Sequence, residues 1–251
     1  MPAKPSRSTA AVPLPPLTAR SIVLSALLGT HPPALPVRDL VRVGALFGVS
    51  DTTVRAALSR MATAGDLERT ESTYRLTGRL LARQERQDAV LQPRPRRWTG
   101  RFEVVVVTAS GRAAGERAAL RTRLQQLGLA ELREGVWSRP DNLRRPWPDD
   151  LHAQARRFRA VPDDPPAELV AALWDLPAWS RRGSGLLHTT RADTPAERFT
   201  LAAAVLRHLV TDPVLPDVLQ PPDWPADELR ARYDQLRREL AAATTRTVGS
   251  G

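Results

Sequence analysis

Apolar side chains in the first third of the chain recur at helical spacing, interrupted at short intervals by glycine and proline. Ile22, Val23, Ala26 and Leu27 fall at i, i+1, i+4 and i+5 behind Thr18, whose hydroxyl suits a helix cap, and Gly29 followed by Pro32-Pro33 ends that run. A second helix is expected from Pro36, with Leu40, Val43, Leu46 and Phe47 turned inward until Gly48; Gly44 weakens the pattern. Phe47-Gly48-Val49-Ser50 then reads as a tight turn between helices: glycine for the left-handed backbone, valine as an apolar plug, serine as the next cap. Within Asp51–Ala64 the stripe Val54, Leu58, Met61 recurs at i, i+4, i+7, which leaves Thr52, Thr53, Arg55, Ala56, Ser59 and Arg60 facing outward. Gly65 closes this helix, and Asp66–Thr70 and Tyr74–Thr77 form two short strands about Glu71-Ser72-Thr73. Three helices followed by a hairpin make a winged helix-turn-helix. Gly78–Leu91 is a further helix carrying Leu80, Leu81, Ala82 and Val90, and Pro93 and Pro95 mark a linker.

Beyond the linker the period changes. Arg101–Thr108 holds the run Val104–Val107, a buried-strand signal, and after Gly115 an amphipathic helix passes through Ala118, Leu120, Leu124 and Leu127 to Gly128. Leu132–Arg139 is a strand, Leu151–Ala155 a short helix, Arg157–Val161 a short strand and Glu168–Leu176 an apolar segment. This alternation predicts a small ferredoxin-like α+β sandwich. From Pro195 the pattern is helical again: Ala196–Leu209 aligns Phe199, Ala202, Ala203, Leu206 and Leu209, Asp212-Pro213 stops it, and Asp227–Leu240 aligns Leu229, Tyr233, Leu236 and Leu240. The expected fold class is α+β. It comprises a winged helix-turn-helix at 18–92, a ferredoxin-like module at 98–176 and a helical part at 177–251, preceded by a Pro/Ser/Ala-rich tail at 1–17 that lacks the apolar groups to order itself.

Charge narrows the function. The 251 residues carry a net +10, and residues 1–97, with 15 basic and 7 acidic side chains, hold +8 of it. A cationic head on two near-neutral parts is what contact with a polyanion calls for. The alternative is an arginine-rich composition, which would spread the excess evenly. No apolar run approaches the ~20 residues of a membrane span, and the proline-dense start has no apolar signal core, so a cytoplasmic, non-membrane protein is expected. With no cysteine, thiol nucleophiles, disulfides and zinc-thiolate sites are excluded. His31, His152, His188 and His208 stand apart, without the paired spacing of a metal centre, and no cofactor-binding motif is present.

Three segments of the head, Ser21–Leu28, Gly48–Met61 and the wing ending Tyr74-Arg75-Leu76-Thr77, resemble the PaaX family of bacterial transcriptional repressors, named for phenylacetic acid catabolism. Trp98-Thr99-Gly100, Leu127-Gly128, Gly135–Pro140, Trp174-Asp175-Leu176, Asp212–Pro216 and Trp224-Pro225 are similar to the family's later signatures in the same order, over roughly residues 20–240. Arg181-Arg182-Gly183-Ser184-Gly185 stands where the family pattern has a longer helix. The resemblance implies a repressor released by a small-molecule effector such as an acyl-CoA thioester, phenylacetyl-CoA in the founding case.

On this reading the helix from Ser50 enters the major groove of operator DNA. Arg55 and Arg60 meet guanine or phosphate, Ser50, Thr52, Thr53 and Ser59 donate to bases or phosphate, Ala56 lies on the same face, and Thr73 and Arg75 touch the flanking backbone. Each has a plainer alternative. Thr52 and Thr53 can cap the helix beside Ser50, and Arg60 can pair with Asp66 or Glu68; Arg55 has fewer such alternatives. Arg94, Arg96 and Arg97 read as a solvated linker, Arg144-Arg145 and Arg181-Arg182 as solvated loop charge, although either pair could grip a ligand's phosphates. Trp98, Trp137, Trp174, Trp179 and Trp224 read as core or interface anchors rather than pocket walls. A palindromic operator implies a homodimer, with the last two helices as its surface. Two other classes compete: a metal-dependent nuclease related to CRISPR-associated ferredoxin-like enzymes, which lacks an acidic residue where the first central strand ends at Val107-Thr108-Ala109, and a winged-helix interaction module without a DNA target, which the +8 opposes. No enzyme activity is expected.

Overall fold

The computed structural model describes residues 18–109, 111–189 and 192–248; the tail expected at 1–17 lies outside them. The chain is mixed α+β. It gathers into two compact units, one formed by residues up to 91 with 182–210 and the stretch from 225, the other by 92–181 with 211–224.

The first unit begins with α1 (Ala19–Leu28), capped as expected by Thr18, whose Oγ1 accepts from the Ser21 amide at 3.2 Å. A strand absent from the sequence reading follows, β1 (Ala34–Pro36). It arises because the extended backbone around Pro36 is taken up by a partner nearly forty residues away, with Ala34, Leu35 and Pro36 opposite Arg75, Tyr74 and Thr73. Pro36, expected to open the second helix, instead caps α2 (Val37–Ala45). Then come α3 (Asp51–Thr63), β2 (Leu67–Thr70), β3 (Thr73–Leu76) and α4 (Gly78–Leu91). The sheet order is β1-β3-β2, all antiparallel. Val23 and Leu27 of α1, Leu40 of α2, Val54, Leu58 and Met61 of α3, and Leu67, Tyr74, Leu76 and Leu80 close one core. Each buried aliphatic side chain there contributes roughly 1.5–3 kcal/mol. Gly44, the residue that weakened α2, has a packing reason: a Cβ there would strike Val54 Cγ2, so its absence lets α2 and α3 approach closely.

The second unit carries β4 (Phe102–Val107), α5 (Ala114–Gln126), β5 (Ala130–Arg133), β6 (Val136–Pro140), a single 3-10 turn at Asp149–Leu151, β7 (Ala155–Ala160) and α6 (Pro166–Leu173). All neighbours in the order β5-β6-β4-β7 are antiparallel, so β6 and β7 run parallel on either side of β4. The stretch that joins them was expected to hold a helix at Leu151–Ala155; among its residues only the 3-10 turn forms, and Ala155 already belongs to β7. Val105, Trp137, Leu120, Leu124 and Leu151 fill one side of the sheet, and Phe102, Val170, Leu176 and Leu215 the other, with Trp98, Trp174 and Trp224 packed against them.

The sheet also encloses charge. Glu103 of β4 is 3% exposed and faces Arg145 Nη2 at 2.6 Å and Arg157 Nε at 2.7 Å. Arg139 of β6 is 1% exposed and donates to the carbonyls of Gly128, Pro140, Pro213 and Val214 and to Asn142 Oδ1. Burial, reinforced by the nearby charge of Arg145, pulls its pKa down to about 9, so it remains a cation at neutral pH. Gly128 (φ +71°) is glycine for two reasons, its left-handed backbone and the Arg139 guanidinium lying where a Cβ would be.

These contacts correct three expectations. Arg145 is not solvated loop charge, since its side chain is 14% exposed and holds Glu103. Arg96 is not part of a solvated linker, since its amide donates to Asn142 O at 2.7 Å, its guanidinium pairs with Asp141, and the neighbouring Pro95 bridges to Leu143, whereas Arg94 and Arg97 are exposed as expected. Arg181–Gly185 is not a departure from helix, because α7 (Leu176–Leu187) runs through it, with Arg181 and Arg182 exposed.

The chain completes the first unit with the end of α7, then α8 (Pro195–Leu209) and α9 (Ala226–Val248). Thr194 and Glu197 build a capping box at the start of α8. Leu201, Val205 and Leu209 of α8 and Leu229, Tyr233 and Leu236 of α9 are buried, so these two helices direct their apolar stripes into the unit. Arg230 of α9 donates to Val90 O of α4 at 3.1 Å.

Candidate nucleic-acid interface

The α2-to-α3 connection fixes how α3 is presented. Gly48 adopts φ +69°, the left-handed conformation its sequence position implied, with its amide bonded to Ala45 O at 3.0 Å and the Val49 amide to Gly44 O at 3.1 Å. Val49 packs against the core, and Ser50 caps α3, its Oγ accepting from the Thr53 amide at 3.3 Å.

Serine and both threonines meet at the tip. Ser50 Oγ lies 3.0 Å from Thr52 Oγ1 and 2.8 Å from Thr53 Oγ1, and all three residues are exposed. Ser50 is therefore the cap; its single proton can serve only one of the threonine hydroxyls, so at least one of them donates to Ser50, and both keep lone pairs toward solvent. The free amides of the first turn give this end of α3 a partial positive charge, suited to phosphate.

Along α3 the two faces separate cleanly. Val54, Ala57, Leu58 and Met61 are buried; Thr52, Thr53, Arg55, Ala56, Ser59 and Arg60 are exposed. Ala56, on the same exposed face, adds only a methyl group between the two longer arginine side chains. Arg60 pairs with neither Asp66 nor Glu68 among the described residues; Asp66 accepts from Arg20 Nη2 at 2.7 Å, and Glu68 lies opposite Arg75 in the hairpin. Arg55, for which fewer internal partners were expected than for the others, has one: its Nε donates to Asp51 Oδ1 and its Nη2 to Asp51 Oδ2, the latter at 3.4 Å.

Thr73 and Arg75 lie on β3, away from this face in sequence. Thr73 is half-buried opposite Thr70, whereas Arg75 is exposed. The hairpin tip carries a second cation that the sequence reading passed over: Arg69 donates to Glu71 O at 3.1 Å and lies 6.0 Å over the Tyr74 ring. Strand alternation gives no signal for it, because period two puts Arg69 on the same side as Leu67, where it is exposed and covers the Tyr74 ring opposite.

The tryptophans settle into packing roles. Trp137 is 2% exposed, and Trp179 stacks on Trp224 at 4.1 Å while its Nε1 donates to Thr211 Oγ1 at 3.0 Å. Glu103, the carboxylate of β4, is held between two arginines.

A family model described as PaaX-like protein matches residues 18–80, and one described as PaaX-like protein C-terminal domain matches residues 177–250. Among solved structures the chain is similar to an uncharacterized protein, Rv0674, from Mycobacterium tuberculosis, at 46% identity and a TM-score of 0.77 over 92% of this chain and 98% of the other. No functionally curated protein matches the chain.

Proposed function

Because the chain belongs to the PaaX-like protein family, we propose that it is a transcriptional regulator that binds operator DNA through α3 and acts as a repressor released by a small-molecule effector such as an acyl-CoA thioester. Residues 18–92 serve as a winged helix-turn-helix, 98–176 as a ferredoxin-like module and 177–251 as a helical part, of which 182–210 and the stretch from 225 share a compact unit with the reading head. The observation that carries the proposal is the partition of α3, whose apolar stripe is buried while its hydroxyls and both arginines stand in solvent. A helix with that outer face fits the major groove, where Arg55 and Arg60 address guanine or phosphate and Ser50, Thr52, Thr53 and Ser59 donate to bases or phosphate oxygens. Thr73 and Arg75 would follow the flanking backbone from the wing.

A homodimer would present two copies of α3 to a palindromic site, and an effector would act by favouring a dimer whose reading helices no longer match the half-site spacing. The first strand of a nuclease of this type needs an open metal-binding carboxylate. Glu103, already bound by two arginines, offers none.

The test is a mobility-shift titration of the full chain on the intergenic DNA upstream of its own coding sequence, at two salt concentrations, with and without acyl-CoA thioesters. Specific binding should weaken about 10³-fold or more from 50 to 200 mM salt if six or more phosphates are contacted. Equal affinity for that DNA and for an unrelated duplex would overturn the proposal.

A further inference from the structure

Arg55 is exposed, yet it is not free. Asp51, one helical turn earlier on the same face, engages its guanidinium side-on through Nε and Nη2. That geometry has a consequence for what remains. A guanidinium has five N–H bonds in one plane, and a side-on carboxylate takes the Nε–H and one Nη2–H. The other Nη2–H and an Nη1–H then point forward, parallel, along the side-chain axis. This free edge is the fork that matches O6 and N7 of a guanine in the major groove. An unbraced arginine can swing about four torsions and reach a phosphate instead; a braced one surrenders that freedom before DNA arrives. The carboxylate of Asp51 also lies on the DNA-facing side of the helix, so alone it would repel phosphate and weaken binding.

From this geometry we infer that Asp51 is a positioning residue for operator recognition: it holds Arg55 so that its terminal edge reads guanine, and thereby converts a general phosphate cation into a base-specific one. The inference rests on the operator-binding role given to α3 above. It distinguishes two arginines of one face: Arg55 specifies sequence, whereas Arg60, with no carboxylate on it among the described residues, is the phosphate contact.

The experiment selects duplexes from a randomised pool with the full chain, followed by sequencing, for the natural protein and the Asp51→Asn, Arg55→Ala and Arg60→Ala variants, with thermal unfolding run alongside. Ser50 remains the cap in each variant, so α3 is expected to stay folded. The natural protein should enrich a site with guanine at a fixed position. Arg55→Ala should abolish preference at that position alone. Asp51→Asn should reduce it, from ~10-fold or more to ~3-fold or less, and leave the other positions intact. Its released Arg55 should also steepen the salt dependence on unrelated duplex by about one phosphate, an extra ~3–4-fold loss between 50 and 200 mM. Arg60→Ala should weaken all duplexes alike. Unchanged base preference in Asp51→Asn overturns the inference, as does a guanine preference that survives Arg55→Ala. If the natural protein itself enriches nothing, it is the operator-binding reading that fails.

Discussion

The ring of Phe47 meets the ring of Phe199 edge to face, with centroids 4.9 Å apart and planes at 80°. Phe47 stands in the turn that leads into α3 and Phe199 on α8, so the family's N-terminal and C-terminal segments are packed together within one unit. Edge-to-face pairs contribute about 0.5–1.5 kcal/mol beyond the area they bury. Phe199→Ala should cost about 2 kcal/mol, below the roughly 3–5 of a fully buried ring because this one is half-exposed. Denaturant unfolding checks the value. Operator affinity measured under conditions where the variant is folded should also fall, because the turn that sets the angle of α3 loses its brace.

Gly183 lies in α7, where alanine would ordinarily improve a helix by about 1 kcal/mol. Here a Cβ would come within 2.9 Å of Pro225 Cγ, 3.0 Å of Leu229 Cδ1 and 3.1 Å of His208 Nε2. Overpacking of this kind costs about 1–3 kcal/mol. Gly183→Ala should therefore destabilise the protein by roughly 1 kcal/mol, while Gly115→Ala, with open space around it, should be neutral or stabilising. A shared sign in thermal unfolding of the two variants would contradict the packing argument.

Arg139 serves four carbonyls and an amide oxygen from one planar fork. Lysine supplies three donors from a single point and cannot reach all of them. Arg139→Lys should destabilise the second unit by about 3 kcal/mol or more, the cost of stranding buried acceptors around a buried charge. Tryptophan fluorescence provides the readout, since all six tryptophans belong to that unit.

Burial raises the Tyr233 hydroxyl above its ordinary pKa near 10, with Arg237 opposing and Asp234 and Asp88 reinforcing the shift. The folded state thus holds this proton more tightly than the unfolded chain does. Its contribution is fully present below pH 10 and is lost as pH rises through the folded value. Tyr233→Phe should flatten the fall in stability above pH 10, with no change of slope at neutral pH.

Exchange of Arg75 for alanine should weaken binding to operator and unrelated duplex by the same factor. The slope of log affinity against log salt should shrink by about 0.9, the signature of one lost phosphate. A change confined to the operator would place Arg75 at a base edge instead.

What could be read from sequence follows the range of the interaction that decides each feature. The α3 stripe of Val54, Leu58 and Met61, the Ser50 cap and the left-handed Gly48 depend on neighbours within a few residues, and all appear as expected. β1 does not, because its three residues become a strand only through Thr73–Arg75. The Arg139 network reverses the usual rule that arginine seeks water, since its acceptors come from Gly128, Asn142, Pro213 and Val214 as well as the adjacent Pro140. The Asp51–Arg55 pair was within reach: an acid four residues before a base on one helix face is a local rule. In the candidate site, the exposed face was legible from its period, while the bonding among Ser50, Thr52 and Thr53 needed coordinates.

The chain crosses between its two units at 91, 181, 210 and 224. A regulator threaded this way is not a string of beads whose reading head can be snipped off and grafted onto another sensor. Cutting after residue 91 would strip Phe47 of Phe199 and Val90 of Arg230. A chimera meant to borrow the proposed reading head must carry residues 182–210 and the stretch from 225 along with the residues up to 91.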